Sequence, residues 1–259
     1  MSKDFQVHIF ASGSKGNAIL VQGGGVAILL DAGISARRIE AHLSALNISL
    51  HELAGIFITH EHADHVRGLP ALAKKTDIPV FARERTWLAL ANLKAIKHAQ
   101  RRLLPKEQMS VGDLTIRPFE VSHDAAEPVG FNVFCGARKG AFATDLGFGG
   151  REVKEALADS DIIVLEANHD PLLLAQGDYP PFLKKRISSR NGHLSNAQAG
   201  KLLADVAGKK EATVFLAHLS QNNNRPELAQ KTVLDVLTAH GLDARFSLRV
   251  ALPDSCVSS

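Results

Sequence analysis

The sequence predicts an α/β fold built on mixed β-sheets, and three observations support this prediction. Near the N-terminus, glycine-rich turns at residues 11–17 and 23–25 join apolar segments, which is the pattern of successive β-hairpins. Later apolar segments alternate with helical patterns, as in parallel strands joined by helices. Four predicted strands run into a histidine or an aspartate, and α/β folds place their sites at strand ends gathered on one edge of a sheet.

The first half of the chain contains five predicted strands and three predicted helices. Residues 6–10, 18–21 and 26–31 are apolar runs separated by turns, so we expect three hairpin strands. The turn at 11–17 is not a Walker-type phosphate loop, because a strand follows it instead of a helix. A helix at 35–46, a strand at 55–58, a helix at 66–75, a strand at 79–82 and a helix from Thr86 follow.

The second half continues with strands and helices of similar length. We expect strands at 114–119, 129–135, 140–143, 161–166, 212–217 and 244–250, because these segments are apolar and bounded by turn residues. Helices are expected at 151–158, from Ser195 as N-cap, and at 226–240. Residues 179–190 form a polar, basic region to which we assign no element bounds.

The size and composition of the chain favour a single globular domain. It has 259 residues, 45% of them hydrophobic and 22% charged, and no linker-like stretch divides it, so residues 1–259 are predicted to fold as one domain. No apolar run approaches the roughly 18 residues of a membrane span, and no secretory signal is evident. We therefore expect a cytoplasmic protein without membrane association. Cys135 and Cys256 are too few for a disulfide framework or a thiolate metal site.

A histidine-rich loop follows the strand at 55–58. Residues 60–65 contain His60, His62, Asp64 and His65. In an extended chain residues i and i+2 point to the same side, so His60 and His62 can converge on one ion. Asp64 and His65 come as the chain turns into a helix and would face a second ion. A solvated histidine-rich turn is the alternative, but so many donors in six positions favour a metal site.

Three further donors follow later strands, namely His123, Asp145 and His218. Imidazole nitrogen and carboxylate oxygen suit Zn²⁺, Mn²⁺ and Fe²⁺ alike. The sequence therefore predicts a site for two divalent metal ions, zinc or manganese, with iron as a further option.

The pattern His-x-His-x-Asp-His at 60–65, followed by the distant donors, resembles the metallo-β-lactamase superfamily over essentially the whole chain. The resemblance implies a four-layer αββα sandwich with two mixed β-sheets. It also implies that one metal is held by His60, His62 and His123, that the second is held by Asp64, His65 and His218, and that Asp145 bridges the two. Asp31, in a strand-end Asp-x-Gly turn, would either orient a ligand imidazole or serve only as a turn residue.

Within this superfamily, four segments of the chain, 10–17, 165–170, 192–196 and 218–223, resemble the YycJ (WalJ) group. That group is linked to 5′ to 3′ exonuclease action on double-stranded DNA. The resemblance implies a dinuclear phosphodiesterase in which a metal-bridged hydroxide attacks phosphorus. Asp145 stands where true β-lactamases use a cysteine, so antibiotic hydrolysis is not expected.

Asp64, His169 and His193 are the predicted catalytic residues, although either extra histidine could instead be structural. A helix start at Ser195 and Asn196, and Lys15 or the Asn17 backbone, are candidate phosphate contacts. Two alternatives remain open: a hydrolase of small esters, lactones or thioesters, and a binding protein on a retained hydrolase scaffold. The complete donor set argues against the second.

DNA is the predicted partner, and the charge of the chain is compatible with it. The net charge is +3 with a pI near 8.9. Basic residues cluster at Lys94, Lys97, Arg101 and Arg102, and again at Lys184, Lys185, Arg186 and Arg190. Each cluster is either a nucleic-acid contact or a solvated helix face. The sequence carries no prediction of oligomeric state.

Overall fold

Two mixed β-sheets of seven strands each form the centre of the computed structural model, which describes residues 5–93, 95–208, 210–252 and 256–259. Lys94, a member of the first predicted basic cluster, lies outside the described residues. The first sheet has the strand order β14 (Val257–Ser258), β1 (Gln6–Ala11), β2 (Ala18–Gly23), β3 (Val26–Leu30), β4 (Leu53–Phe57), β5 (Val80–Ala82) and β6 (Arg101–Leu103). Pairing is antiparallel from β14 to β3 and parallel from β3 to β6.

The second sheet has the order β13 (Phe246–Val250), β12 (Ala212–Ala217), β11 (Ile162–Glu166), β10 (Arg138–Ala143), β9 (Val129–Cys135), β8 (Leu114–Glu120) and β7 (Met109–Val111). Its strands are antiparallel from β7 to β10 and parallel from β10 to β13. The early hairpins and the later alternation of strands with helices therefore produce mixed sheets, as predicted.

The helices of the described residues are α1 (Ala36–Ala45), α2 (Ala63–Val66), α3 (Leu69–Lys75), α4 (Glu84–Ala89), α5 (Arg151–Leu157), α6 (Pro171–Gln176), α7 (Pro181–Ile187), α8 (Asn196–Val206) and α9 (Pro226–Ala239). Ser35 caps α1 by accepting from the Arg38 N–H, and Ser195 caps α8 by accepting from the Gln198 N–H. Among the described residues no helix is long and apolar enough to cross a membrane.

The period of two along the strands divides the apolar side chains between three layers of core. Ile9 and Ile28 point between the sheets and pack in one cluster with Phe131 of the second sheet. Their neighbours Phe10 and Leu29 point the other way, into a cluster that includes the apolar faces of α1 and α3. The outer face of the second sheet packs on α5, α8 and α9. This arrangement is the predicted four-layer αββα sandwich.

Several elements differ from the prediction for identifiable reasons. The region 179–190 contains the helix α7, which buries none of its residues and so lacks the apolar periodicity that would reveal it. The predicted helix at 66–75 is interrupted around Gly68, where a Cβ atom would lie 2.0 Å from the Ile34 carbonyl oxygen. The strands β6, β7 and β14 are too short to show an alternating pattern.

Candidate metal centre

Three imidazoles form the first group of donors, at the ends of β4 and β8. One ring nitrogen from each of His60, His62 and His123 lies within 4.8 Å of the others. His123 Nε2 lies 3.3 Å from His62 Nδ1. Two other ring nitrogens are held by the protein: Thr59 Oγ1 lies 3.0 Å from His60 Nδ1, and the Gly192 carbonyl oxygen lies 3.1 Å from His123 Nδ1. Such contacts orient a ring so that its other nitrogen faces a metal.

Two carboxylates and two imidazoles form the second group. Donor atoms of Asp64, His65, Asp145 and His218 lie within 4.8 Å of one another. Asp64 Oδ2 is 3.5 Å from the Nε2 atoms of both His65 and His218. This group contains both carboxylates of the predicted donor set.

Asp145 lies between the two groups. Its Oδ2 atom is 3.1 Å from His65 Nε2 in the second group. Its Oδ1 atom is 3.4 Å from His218 Nε2 in the second group and 3.8 Å from His123 Nε2 in the first. The side chain is buried, and the two oxygens face different imidazoles. This position is the one a carboxylate shared by two ions would need.

Two buried carboxylates outside these two groups hold histidines of the second group in place. One of them, Glu166, also has a donor atom within 4.8 Å of donor atoms of Asp145, His193 and His218. Asp31 Oδ2 lies 2.7 Å from His65 Nδ1, and both of its oxygens accept from Thr59. Glu166, at the end of β11, contacts His218 Nδ1 at 3.0 Å through Oε1. Of the two roles considered for Asp31, the contact with His65 therefore matches the orienting one. The contacts of Glu166 were not predicted, although its place at the end of an apolar strand beside extra histidines was a usable signal.

Three of these strand-end residues have left-handed backbone conformations. The φ angles of Asp31, Asp145 and His218 are +60°, +57° and +54°. Such conformations cost of the order of 1–3 kcal/mol for residues other than glycine and cluster at functional sites. They turn the chain sharply at the end of a strand, which aims each side chain into the centre.

Close backbone packing fixes the histidine loop against the first turns of the chain. A Cβ atom on Gly33 would lie 1.6 Å from the Asp64 carbonyl oxygen. The same carbonyl accepts from the Asn17 N–H at 2.8 Å. The predicted phosphate contact through the Asn17 backbone is therefore wrong, because that N–H is already used inside the protein.

The pKa shifts of the donor residues differ between the two groups. Burial, and then the neighbouring His65, hold the pKa of His60 well below its usual value, and burial lowers the pKa of His123. In the second group burial opposes the charged forms, yet Asp145 and Asp64 raise the pKa of His218 to about 10. His218 and His65 likewise outweigh burial and hold the pKa of Asp145 well below its usual range. His60 and His123 thus offer neutral imidazoles, the ligating form, and the carboxylates of the second group attract positive charge.

The donor atoms themselves fit a metal ion. His60 Nε2, Asp145 Oδ2 and His218 Nε2 are buried and have no hydrogen-bond partner. Buried polar atoms are nearly always satisfied, so orphaned donor atoms that converge need an explanation, and an ion is one. Nitrogen and oxygen donors in these groups suit divalent metals of the zinc and manganese type.

A cavity of about 220 Å³ opens onto both groups. Its lining includes His193, whose Nδ1 lies 2.7 Å from Glu166 Oε1 and whose side chain is one-fifth exposed. Its other lining residues are Ser14, His62, Asp64, His123, Asp124, Asp145, Leu183, Arg186, Ile187, Gly192 and His218. A larger cavity of about 600 Å³, between α4 and the loop before β9, is lined by none of the predicted donors.

His169 and the start of α8 do not line this cavity. His169 is buried at the end of β11, and its carbonyl oxygen accepts from the Asn196 N–H. The Gln198 N–H is taken by Ser195 Oγ, and the Ala199 N–H by the Ser195 carbonyl oxygen. Little of the α8 N-terminus is therefore left to bind a phosphate, contrary to the prediction for Ser195 and Asn196.

Comparison with known proteins identifies the family. The sequence profile described as "Beta-lactamase superfamily domain" matches residues 27–219. Exodeoxyribonuclease YycJ of Bacillus anthracis is 38% identical over 192 residues, which are 73% of each chain. Exodeoxyribonuclease WalJ of Streptococcus pneumoniae is 33% identical over 250 residues, 95% of this chain and 93% of the relative. This chain is a YycJ-like member of the metallo-β-lactamase superfamily.

A solved structure supports the fold of this metallo-β-lactamase superfamily member. The metallo-β-lactamase fold protein YhfI from Bacillus subtilis superposes with a TM-score of 0.74 at 15% identity, covering 98% of this chain and 99% of its own. The predicted fold class and family are thereby confirmed. Membership of this superfamily, together with the donor groups, also confirms the prediction of a metal-dependent hydrolase.

Proposed function

We propose that this hydrolase is a dinuclear phosphodiesterase that removes nucleotides from double-stranded DNA in the 5′ to 3′ direction. The observation that carries the proposal is the pair of donor groups that line one cavity, with Asp145 of the second group also facing His123 of the first. The names of the two relatives, both exodeoxyribonucleases, support DNA as the substrate. A cytoplasmic location, where DNA is accessible, is part of the same proposal.

Two divalent ions, zinc or manganese, would be held by the two groups of donors. When bound at such a site, a pair of ions lowers the pKa of water and neutralises charge on a phosphate. The contribution of the chain is to hold those ions with His60, His62 and His123 on one side, Asp64, His65 and His218 on the other, and Asp145 between them. Asp31 and Glu166 keep the imidazoles of His65 and His218 correctly turned.

His193 is proposed to protonate the leaving oxygen. Glu166 binds its Nδ1, so Nε2 is the nitrogen left to meet a substrate in the cavity. Burial lowers the pKa of His193, but the charge of Glu166 and its hydrogen bond outweigh this effect and raise the pKa above the usual value. A protonated imidazole beside the scissile phosphate can act as a general acid. His169 stays a predicted catalytic residue, but no contact between His169 and the cavity supports that role.

Cleavage of end-labelled duplex DNA by the metal-loaded protein tests the proposal. His193→Ala should retain two metal ions per chain yet lose about 10²- to 10⁴-fold in cleavage rate, the usual contribution of general acid catalysis. His51→Ala, a change at an exposed histidine remote from the donors, is the matched control and should cleave like the wild type. Rapid hydrolysis of lactones or thioesters with no cleavage of DNA would instead favour the small-molecule alternative, although only Leu183 and Ile187 give the cavity apolar side chains.

A further inference from the structure

The helix α7 joins the cavity to an exposed aromatic side chain. Its C-terminal end packs on the loop that carries His193, since the His193 N–H donates to the Ile187 carbonyl oxygen at 2.8 Å. Gly192 permits this approach, because a Cβ atom there would lie 2.2 Å from the carbonyl oxygens of Arg186 and Ile187. Leu183, Arg186 and Ile187 of α7 line the cavity. The helix is therefore held at the rim of the site by backbone contacts.

The first turn of α7 is exposed to solvent. Phe182 is 74% exposed, the highest value among the large hydrophobic residues of the described chain. No ring contact of Phe182 is found within the described residues. It precedes Arg186 by four positions, so the two side chains are neighbours on one face, about 6 Å apart along the helix axis. An unpartnered aromatic ring thus lies one helical turn from a cavity-lining cation.

The charge around Phe182 favours an anionic occupant. Residues 171–190 contain four basic residues and one acidic residue, Asp178. Arg186 Nε lies 2.5 Å from Asp124 Oδ2, and the Arg190 guanidinium lies 3.8 Å from the centre of the Phe148 ring. Exposed aromatic rings beside cations are the pattern of surfaces that bind single nucleic-acid strands, since every base has a face to stack and every nucleotide a phosphate.

We propose that Phe182 stacks on a base of the DNA substrate next to the phosphate that enters the cavity, with Lys185 and Arg190 holding the adjoining backbone. This inference rests on the proposed function and adds a residue that contacts the substrate outside the metal centre. A base at this position would order the strand end over the donor groups. An acidic protein partner is the competing occupant of the same surface.

The test is a double-substitution cycle between protein and DNA. Wild type, Phe182→Ala and Phe182→Trp are compared on an end-labelled duplex and on the same duplex whose two 5′-terminal nucleotides carry an abasic tetrahydrofuran. The free energy of one base–aromatic stack implies that Phe182→Ala should lower kcat/KM on intact DNA about 5- to 150-fold. Phe182→Trp keeps an aromatic ring and should have the kcat/KM of the wild type. On abasic DNA the kcat/KM of the wild type should fall to that of Phe182→Ala. The kcat/KM of Phe182→Ala should be little lower on abasic DNA than on intact DNA. Leu172→Ala, a change at an equally exposed residue of α6, is the control.

A binding measurement separates this inference from the proposed function. Fluorescence anisotropy in EDTA, where no cleavage occurs, should show a raised Kd for intact DNA in Phe182→Ala and an unchanged Kd in Leu172→Ala. Equal activity of Phe182→Ala and wild type on intact DNA would overturn the inference alone. Equal losses on intact and abasic DNA would also overturn it. A wild-type protein that binds metals but cleaves no DNA would overturn the proposed function and this inference together.

Discussion

Asp145 is the residue on which the two groups of donors depend. One oxygen faces His65 and the other faces His123. We predict that Asp145→Ala loses or weakens both ions, whereas Asp64→Ala mainly empties the second site, because Asp64 belongs to one group only. Metal-to-protein ratios measured by mass spectrometry decide between these outcomes, with Asp77→Ala at an exposed ion pair as the control. Equal metal loss in the Asp145 and Asp64 variants would mean that the bridge is wrongly assigned.

Among individual residues, the metal donors are easier to predict from the sequence than the residues that orient them. Imidazoles in a short loop and at strand ends stand out because few structural roles require them there. Glu166 stands out less, since a carboxylate after four apolar strand residues looks like the end of a strand. Its contacts with His193 and His218 join residues far apart in the chain. The pairing of β11 with β12 brings His218 close, and the loop before α8 brings His193.

Among the elements, the turn after β3 determines where the histidine loop lies. Gly33→Ala would place a methyl group 1.6 Å from the Asp64 carbonyl oxygen, so the loop would have to move. Overpacking of this kind costs about 1–3 kcal/mol, and we expect that loss of unfolding free energy in urea, together with weaker metal binding. Gly150→Ala is the matched control, because its nearest contact would be an ordinary 3.4 Å. Unchanged metal affinity in Gly33→Ala would show that the loop is not held by this contact.

The loop before β9 is tied to α4 by an ion pair whose strength should depend on pH. Glu127 Oε1 accepts from Arg83 Nε and Nη2 at 3.0 and 2.6 Å, and Oε2 accepts from the Arg85 N–H at 3.0 Å. Burial raises the pKa of Glu127, but the Arg85 N–H and the Arg83 charge outweigh it and lower the pKa below 4.5. The pair therefore stabilises the fold above pH 4.5, and this contribution disappears as the pH falls through the lower, folded-state pKa.

Glu127→Gln tests this dependence. At pH 7 the variant should lose about 1.5–3 kcal/mol of unfolding free energy, the usual value of a hydrogen bond to a charged group. The difference between wild type and variant, followed by urea unfolding, should shrink toward zero as the pH falls below 4.5. A difference that is the same at all pH values would contradict the ion-pair account.

The element that the sequence conceals most completely is α7. Two consecutive prolines, a basic run and the absence of any buried residue give it the appearance of a loop. Its position follows from backbone contacts of Arg186 and Ile187 with Gly192 and His193, which no periodicity can reveal. By contrast α1 and α8 carry apolar stripes and serine caps. The bounds of α1 were predicted to within a few residues, and so was the start of α8 at Ser195.

For the whole molecule, we propose that residues 1–259 unfold as one domain. The two sheets share the central apolar cluster, and the C-terminal strand β14 pairs with β1 near the start of the chain. Neither sheet can therefore unfold by itself without exposing the apolar core of the other to water. Calorimetry and urea unfolding followed by circular dichroism should each show a single transition with the same midpoint. Two separate transitions would contradict this proposal.

The measurement that tests the central claim most directly is anomalous X-ray scattering from crystals of the protein loaded with Mn²⁺ or Zn²⁺. The account predicts two peaks, one beside His60, His62 and His123 and one beside Asp64, His65 and His218, with Asp145 in contact with both. A single peak, or two peaks that do not share Asp145, would contradict it.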